Sequence, residues 1–81
     1  MTRRQITFYI NGKPITRWYG VTVEQGVLAY DQEEYLALKR GEAWVVDGRG
    51  SRVGPGGTLE NGARLYIRHV GDASLQSHNP P

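Results

Sequence analysis

Gln5-Ile6-Thr7-Phe8-Tyr9-Ile10-Asn11-Gly12-Lys13-Pro14-Ile15-Thr16-Arg17-Trp18-Tyr19 is the stretch that decides the fold. Its first six residues alternate with period two, which puts Ile6, Phe8 and Ile10 on one side of a strand. Asn11-Gly12 follows directly, and both residues tolerate the positive φ that a two-residue hairpin turn requires. The chain returns through residues 14–19, with Pro14 at the start of the second strand, where a missing N–H costs least. Ile15 and Trp18 cannot share a face of a regular strand, and neither can Trp18 and Tyr19. At least one of these aromatics is therefore expected outside the core unless a bulge intervenes.

Downstream, Thr22 has the character of a helix N-cap, and Gln25 three positions later completes a capping box. Val23, Val27 and Leu28 mark one helical face. Continuing that stripe by one turn reaches Asp31 and Gln32, followed by Glu33 and Glu34, so the polar run ends the pattern and a single short helix over 22–31 is expected. Residues 35–39 then read as a third strand with Leu36 and Leu38 inward. A rival reading makes 31–40 helical, because Glu, Leu, Ala, Lys and Arg all favour helix. Ala43-Trp44-Val45-Val46 reads as a short strand, and the glycine-dense run 48–57 as a long surface loop whose length suggests recognition. Asn61-Gly62 makes a last turn before a final strand over 63–70, with Leu65 and Ile67 inward and Arg64, Tyr66 and Arg68 outward. The final strand is expected beside the first, in a mixed sheet with one short helix packed across it. That is an α+β design. The organisation is one domain over 1–71 and a polar, disordered tail over 72–81.

The 81 residues suffice for one domain, and a chain of this length hides only about 60% of its unfolded surface. Apolar residues make up 38% and aromatics 10%, too rich for wholesale disorder. No apolar run approaches the roughly 20 residues of a membrane span, and Met-Thr-Arg-Arg leads into no signal-peptide core, so cytoplasm is the expected compartment. Cysteine is absent, which excludes disulfides, thiol nucleophiles and cysteine-held iron–sulfur or zinc. The formal charge is only +2, but it is unevenly spread: Glu24, Asp31, Glu33 and Glu34 crowd the middle, while Arg49, Arg52, Arg64 and Arg68 lie later. A polarised surface of this kind suits a complementary protein partner and is too weakly basic to favour nucleic acid.

Signs of catalysis are weak. His69 and His78 are too few for a metal site. The serines lack a His–Asp arrangement, and Glu33-Glu34 reads as solvated rather than as an acid/base pair. The run Gly48-Arg49-Gly50-Ser51-Arg52-Val53-Gly54-Pro55-Gly56-Gly57 lacks the Gly-Lys-Ser/Thr ending and the helix that a phosphate loop needs. No cofactor and no metal are expected, and the chain is not expected to be an enzyme.

Taken together, Ile6 to Thr16, Thr22-Val23-Glu24, Tyr35-Leu36, Asp47-Gly48-Arg49, Gly57-Thr58-Leu59 and Leu65-Tyr66-Ile67-Arg68 resemble the successive elements of ubiquitin. The likeness covers residues 5–71 and implies the β-grasp fold of the ubiquitin-like superfamily. The hairpin followed by a short helix also resembles bacterial multiubiquitin-type domains. Val46-Asp47-Gly48 and the run Leu59-Glu60-Asn61-Gly62-Ala63-Arg64-Leu65 are similar to the second half of sulfur-carrier proteins. Plant-type ferredoxins share the topology but need the cysteines this chain lacks. The resemblance implies a non-catalytic protein-binding module or modifier in a bacterial ubiquitin-like pathway, with an exposed sheet face carrying Tyr9, Arg64, Tyr66 and Arg68 as the binding surface. An activating enzyme or isopeptidase is an implied partner. The alternative is a sulfur-carrier-type or conjugated protein activated at Gly71 after removal of the tail. This chain departs from the family's Gly-Gly ending: Asp72 follows Gly71.

Overall fold

The computed structural model describes residues 4–71. At the hairpin, Asn11 and Gly12 take φ of 51° and 84°, and the strands β1 (Gln5–Ile10) and β2 (Lys13–Trp18) pair from Ile10↔Lys13 back to Gln5↔Trp18. Phe8 and Ile10 are fully buried, whereas Trp18, on the side away from Ile15 as strand parity requires, is 49% exposed and Tyr19, just past the end of β2, is 58% exposed.

Thr22 then starts helix α1 (Val23–Tyr30) with the capping box intact: its hydroxyl accepts from the Gln25 N–H, and the Gln25 amide oxygen accepts from the Thr22 N–H. The two remaining leading amides are satisfied from elsewhere in the chain, Val23 N–H donating to Gly57 O and Glu24 N–H to Pro55 O, both at 2.9 Å. Val23, Gly26 and Val27 face the core, and Leu28 points out, 46% exposed.

Residues 31–40 correct the expectation of a single helix followed by a strand. Asp31 ends α1 and caps a second helix, α2 (Gln32–Lys39), its carboxylate accepting from the Glu33 N–H at 2.8 Å. Glu33 and Glu34 fill the first turn, where negative charge complements the helix dipole, and Lys39 lies in the last. The polar run that ends one helix therefore starts the next. Burial follows helical rather than strand spacing: Glu34, Tyr35, Ala37 and Leu38 are covered, while Leu36 is 37% exposed.

After α2 come β3 (Ala43–Asp47), β4 (Arg52–Val53) and β5 (Arg64–His69). The glycine-dense run is thus no single loop. The Asp47 carboxylate accepts from the N–H groups of Arg49 and Ser51, both at 2.9 Å, and closes a tight turn that sends β4 back along β3. Residues 54–57 cover the start of α1 through the Pro55 and Gly57 carbonyls.

The strands form one mixed sheet in the order β2-β1-β5-β3-β4, with β5 parallel to β1 and antiparallel to β3. The parallel ladder has only two residue pairs, Tyr9↔Arg64 and Ile10↔Leu65, and two asparagines lengthen it. Asn61 Oδ1 accepts from the Thr7 N–H at 2.9 Å, and Asn11 Oδ1 accepts from the Ile67 N–H at 3.1 Å. Asn11 also donates to the Tyr30 hydroxyl at 3.2 Å, tying the hairpin to α1. Both helices lie on one side of the sheet over Ile6, Phe8, Ile10, Val45, Leu65 and Ile67. The described residues form a small α+β protein with a mixed five-strand sheet and two helices. No described helix is long and apolar enough to cross a membrane. Residues 72–81, read from sequence as a disordered tail, lie outside the described residues.

Candidate partner-binding face

The side of the sheet away from the helices is set by strand parity. With Leu65 and Ile67 turned to the core, β5 presents Arg64, Tyr66 and Arg68 outward. Tyr9 is the register partner of Arg64, and the Arg64 guanidinium lies over its ring at 4.4 Å. The four residues that the sequence singles out therefore share one face. β3 adds Trp44, opposite Arg68, and Val46, opposite Tyr66. β4 adds Arg52, opposite Val46, with its guanidinium 5.1 Å from the Trp44 ring. Val46 is only 6% exposed, yet it stands outside the helix-side core cluster; its register neighbours Tyr66 and Arg52 flank it, so the face has an apolar floor.

Charge on this face has one sign. The outward positions of β1 and β2 are uncharged: Gln5, Thr7, Tyr9, Pro14, Thr16 and Trp18. The ion pairs among the described residues are Lys39–Glu24, Arg40–Glu42 and His69–Glu34, none of which involves Arg52, Arg64 or Arg68. Two of these arginines lie over rings, which limits side-chain freedom, and both residues are exposed.

Other surfaces are more closed. β2 forms one border of the sheet, but Pro14 has no N–H, Arg17 Nη1 donates to the Thr16 carbonyl at 2.7 Å, and the Trp18 carbonyl accepts from the Val21 N–H at 3.2 Å. The opposite border, β4, is two residues long. The start of α1 has its amides taken by Thr22, Pro55 and Gly57, so the end of the glycine-dense segment caps that helix. His69 lies on the helix side of β5, with Nε2 2.5 Å from a Glu34 carboxylate oxygen. Gly71 follows β5 by two residues at φ 99°, while Val70 N–H donates to Glu42 O at 2.8 Å.

No protein-family model and no curated protein matches this chain.

Trp44, Val46 and Arg52 are the residues that sequence reasoning does not place on this face, though Trp44 as an exposed anchor and Arg52 as a contact for acidic side chains are both open readings of the sequence. Trp44 was within reach, since alternation along Ala43-Trp44-Val45 sets it opposite the two buried residues. Arg52 was hidden by the glycines around it, which masked a two-residue strand.

Proposed function

We propose that this chain is a ubiquitin-like domain of β-grasp topology that binds a protein partner without catalysis, in the cytoplasm and within a bacterial ubiquitin-like pathway. A hairpin, a helical crossover and a last strand parallel to the first support the topology. The observation that carries the role is the outward face of Tyr9, Arg64, Tyr66 and Arg68: aromatic and arginine side chains gathered on one side of the sheet, with none of its arginines in an ion pair with a described carboxylate. Aromatic residues and arginine are the side chains that dominate protein-interface energetics. A catalytic reading has less support. Among the described residues no buried side-chain polar atom lacks a hydrogen-bond partner, and the titrating group with a displaced pKa, Lys39, belongs to an exposed ion pair.

In the carrier alternative, Gly71 becomes a reactive terminus after trimming. Its positive φ gives that glycine a backbone reason of its own, so the docking role is the better supported of the two. The test is capture of the native complex by the wild-type chain and by Tyr66→Ala. The variant is expected to keep its fold by circular dichroism and lose the complex. Retention of the complex refutes the docking face. Should Tyr66→Ala unfold, Arg68→Glu carries the same test at an exposed position.

A further inference from the structure

The docking face also specifies its occupant. Resting on the role proposed above, we infer that its partner presents an acidic segment, with two carboxylates on either side of an apolar side chain. Arg64, Tyr66 and Arg68 alternate along one strand, so the two arginine stems stand about 13 Å apart with the Tyr66 ring between them. Arg52 is level with Tyr66 two strands away, about 12 Å from each of the other two. The three cations thus surround an apolar centre of Tyr66 and Val46, and no outward strand position supplies a carboxylate to them.

Guanidinium groups recognise carboxylates through paired N–H donors, and preorganisation over a ring lowers the entropy lost on binding. An extended partner reaches both Arg64 and Arg68 with acids at positions i and i+4, and positions i and i+2 fall on the same side, which seats an apolar residue over Tyr66. Nucleic acid fits less well. A base needs an open aromatic plane, but Arg64 lies over Tyr9 and Arg52 over Trp44, so the rings beside two of the three arginines are already covered. Addition of a strand at the border is opposed by Pro14 and by Arg17 on the Thr16 carbonyl.

The probes are the peptide Ac-SESLSES-amide, its glutamine counterpart Ac-SQSLSQS-amide, and an oligouridylate, each titrated into the 15N-labelled full chain. The acidic peptide is expected to shift the amides of Arg64, Tyr66, Arg68 and Trp44 saturably. Arg64→Gln combined with Arg68→Gln is expected to weaken binding at least about tenfold without altering the remaining spectrum. Equal binding of the glutamine peptide, or shifts confined to other surfaces, overturns the inference. So does tighter binding of oligouridylate, which would make the occupant a nucleic acid. A silent acidic peptide beside a native complex lost in Tyr66→Ala removes the acidic chemistry and leaves the docking face. A native complex indifferent to Tyr66→Ala removes the face itself.

Discussion

Replacing Gly26 by alanine sets two effects of known size against each other. By helix propensity alone the change stabilises α1 by about 1 kcal/mol, since glycine in a helix interior is that much poorer than alanine. The added methyl, however, would stand 3.0 Å from Leu59 Cδ1, 3.0 Å from Phe8 Cε2 and 3.2 Å from Phe8 Cζ. Favourable carbon–carbon separations begin near 3.5 Å. Neither neighbour yields easily, because Phe8 is 0% exposed and Leu59 3%. Overpacking of a filled core costs about 1–3 kcal/mol, and a methyl pinched from two sides belongs in the upper part of that range. The balance is a loss of about 1–2 kcal/mol, or roughly 5–15 °C in Tm for a domain of this size. Urea denaturation followed by tryptophan fluorescence measures it. A companion pair built on Leu59→Val, which removes the methyl nearest Gly26, should show a smaller loss on adding Gly26→Ala. A Gly26→Ala midpoint at or above that of the wild type refutes the close-packing account.

Two further outcomes follow from particular bonds. Asn11 serves both as a turn residue at φ 51° and as the acceptor for the Ile67 N–H, so Asn11→Ala is expected to cost about 2 kcal/mol and Asn11→Gly about 1 kcal/mol, since glycine restores the turn but not the bond. Equal urea midpoints for Asn11→Gly and wild type refute the side-chain staple. Lys39 is held above its ordinary pKa of 10.5 by its hydrogen bond to Glu24, then by the charge of Glu24 and the nearby Tyr35. A raised folded-state value means that the contribution is complete below pH 10.5 and fades as pH climbs through the folded value. The Tm difference between wild type and Lys39→Met, positive at neutral pH, should shrink at the alkaline end. A difference that grows there contradicts the pairing.

The features legible in the sequence are those whose causes are local. Asn11-Gly12 dictates its turn by backbone tolerance, Thr22 and Gln25 write the capping box within four residues, and alternation through 64–69 separates Leu65 and Ile67 from Arg64, Tyr66 and Arg68. Residues 31–40 were harder because Leu36 and Leu38 satisfy a strand pattern over so short a span. The deciding fact is the Asp31 carboxylate on the Glu33 amide, and the same Asp31 also reads as the end of α1. The task of the glycine-dense segment is not written locally at all. Its carbonyls serve a helix whose first residue, Val23, is more than thirty positions earlier in the chain, and composition says nothing of such a bond. On the candidate face the four outward residues of β1 and β5 came from alternation, whereas Arg52 needed the pairing of β4 with β3.

The centre of the sheet is the last of its strands to be made. β5 joins β1 to β3, and its anchoring bonds to the hairpin span 54 and 56 residues of sequence. Before it is made, the nascent chain holds a hairpin and a second strand pair with no strand to join them into one sheet, and Phe8, Ile10 and Val45 have no complete interior to enter. Synthesis thus delivers two half-sheets and then their keystone. A premature stop just before Arg64 removes the middle of the molecule rather than its rim, and should yield a chain for the proteases instead of a trimmed domain.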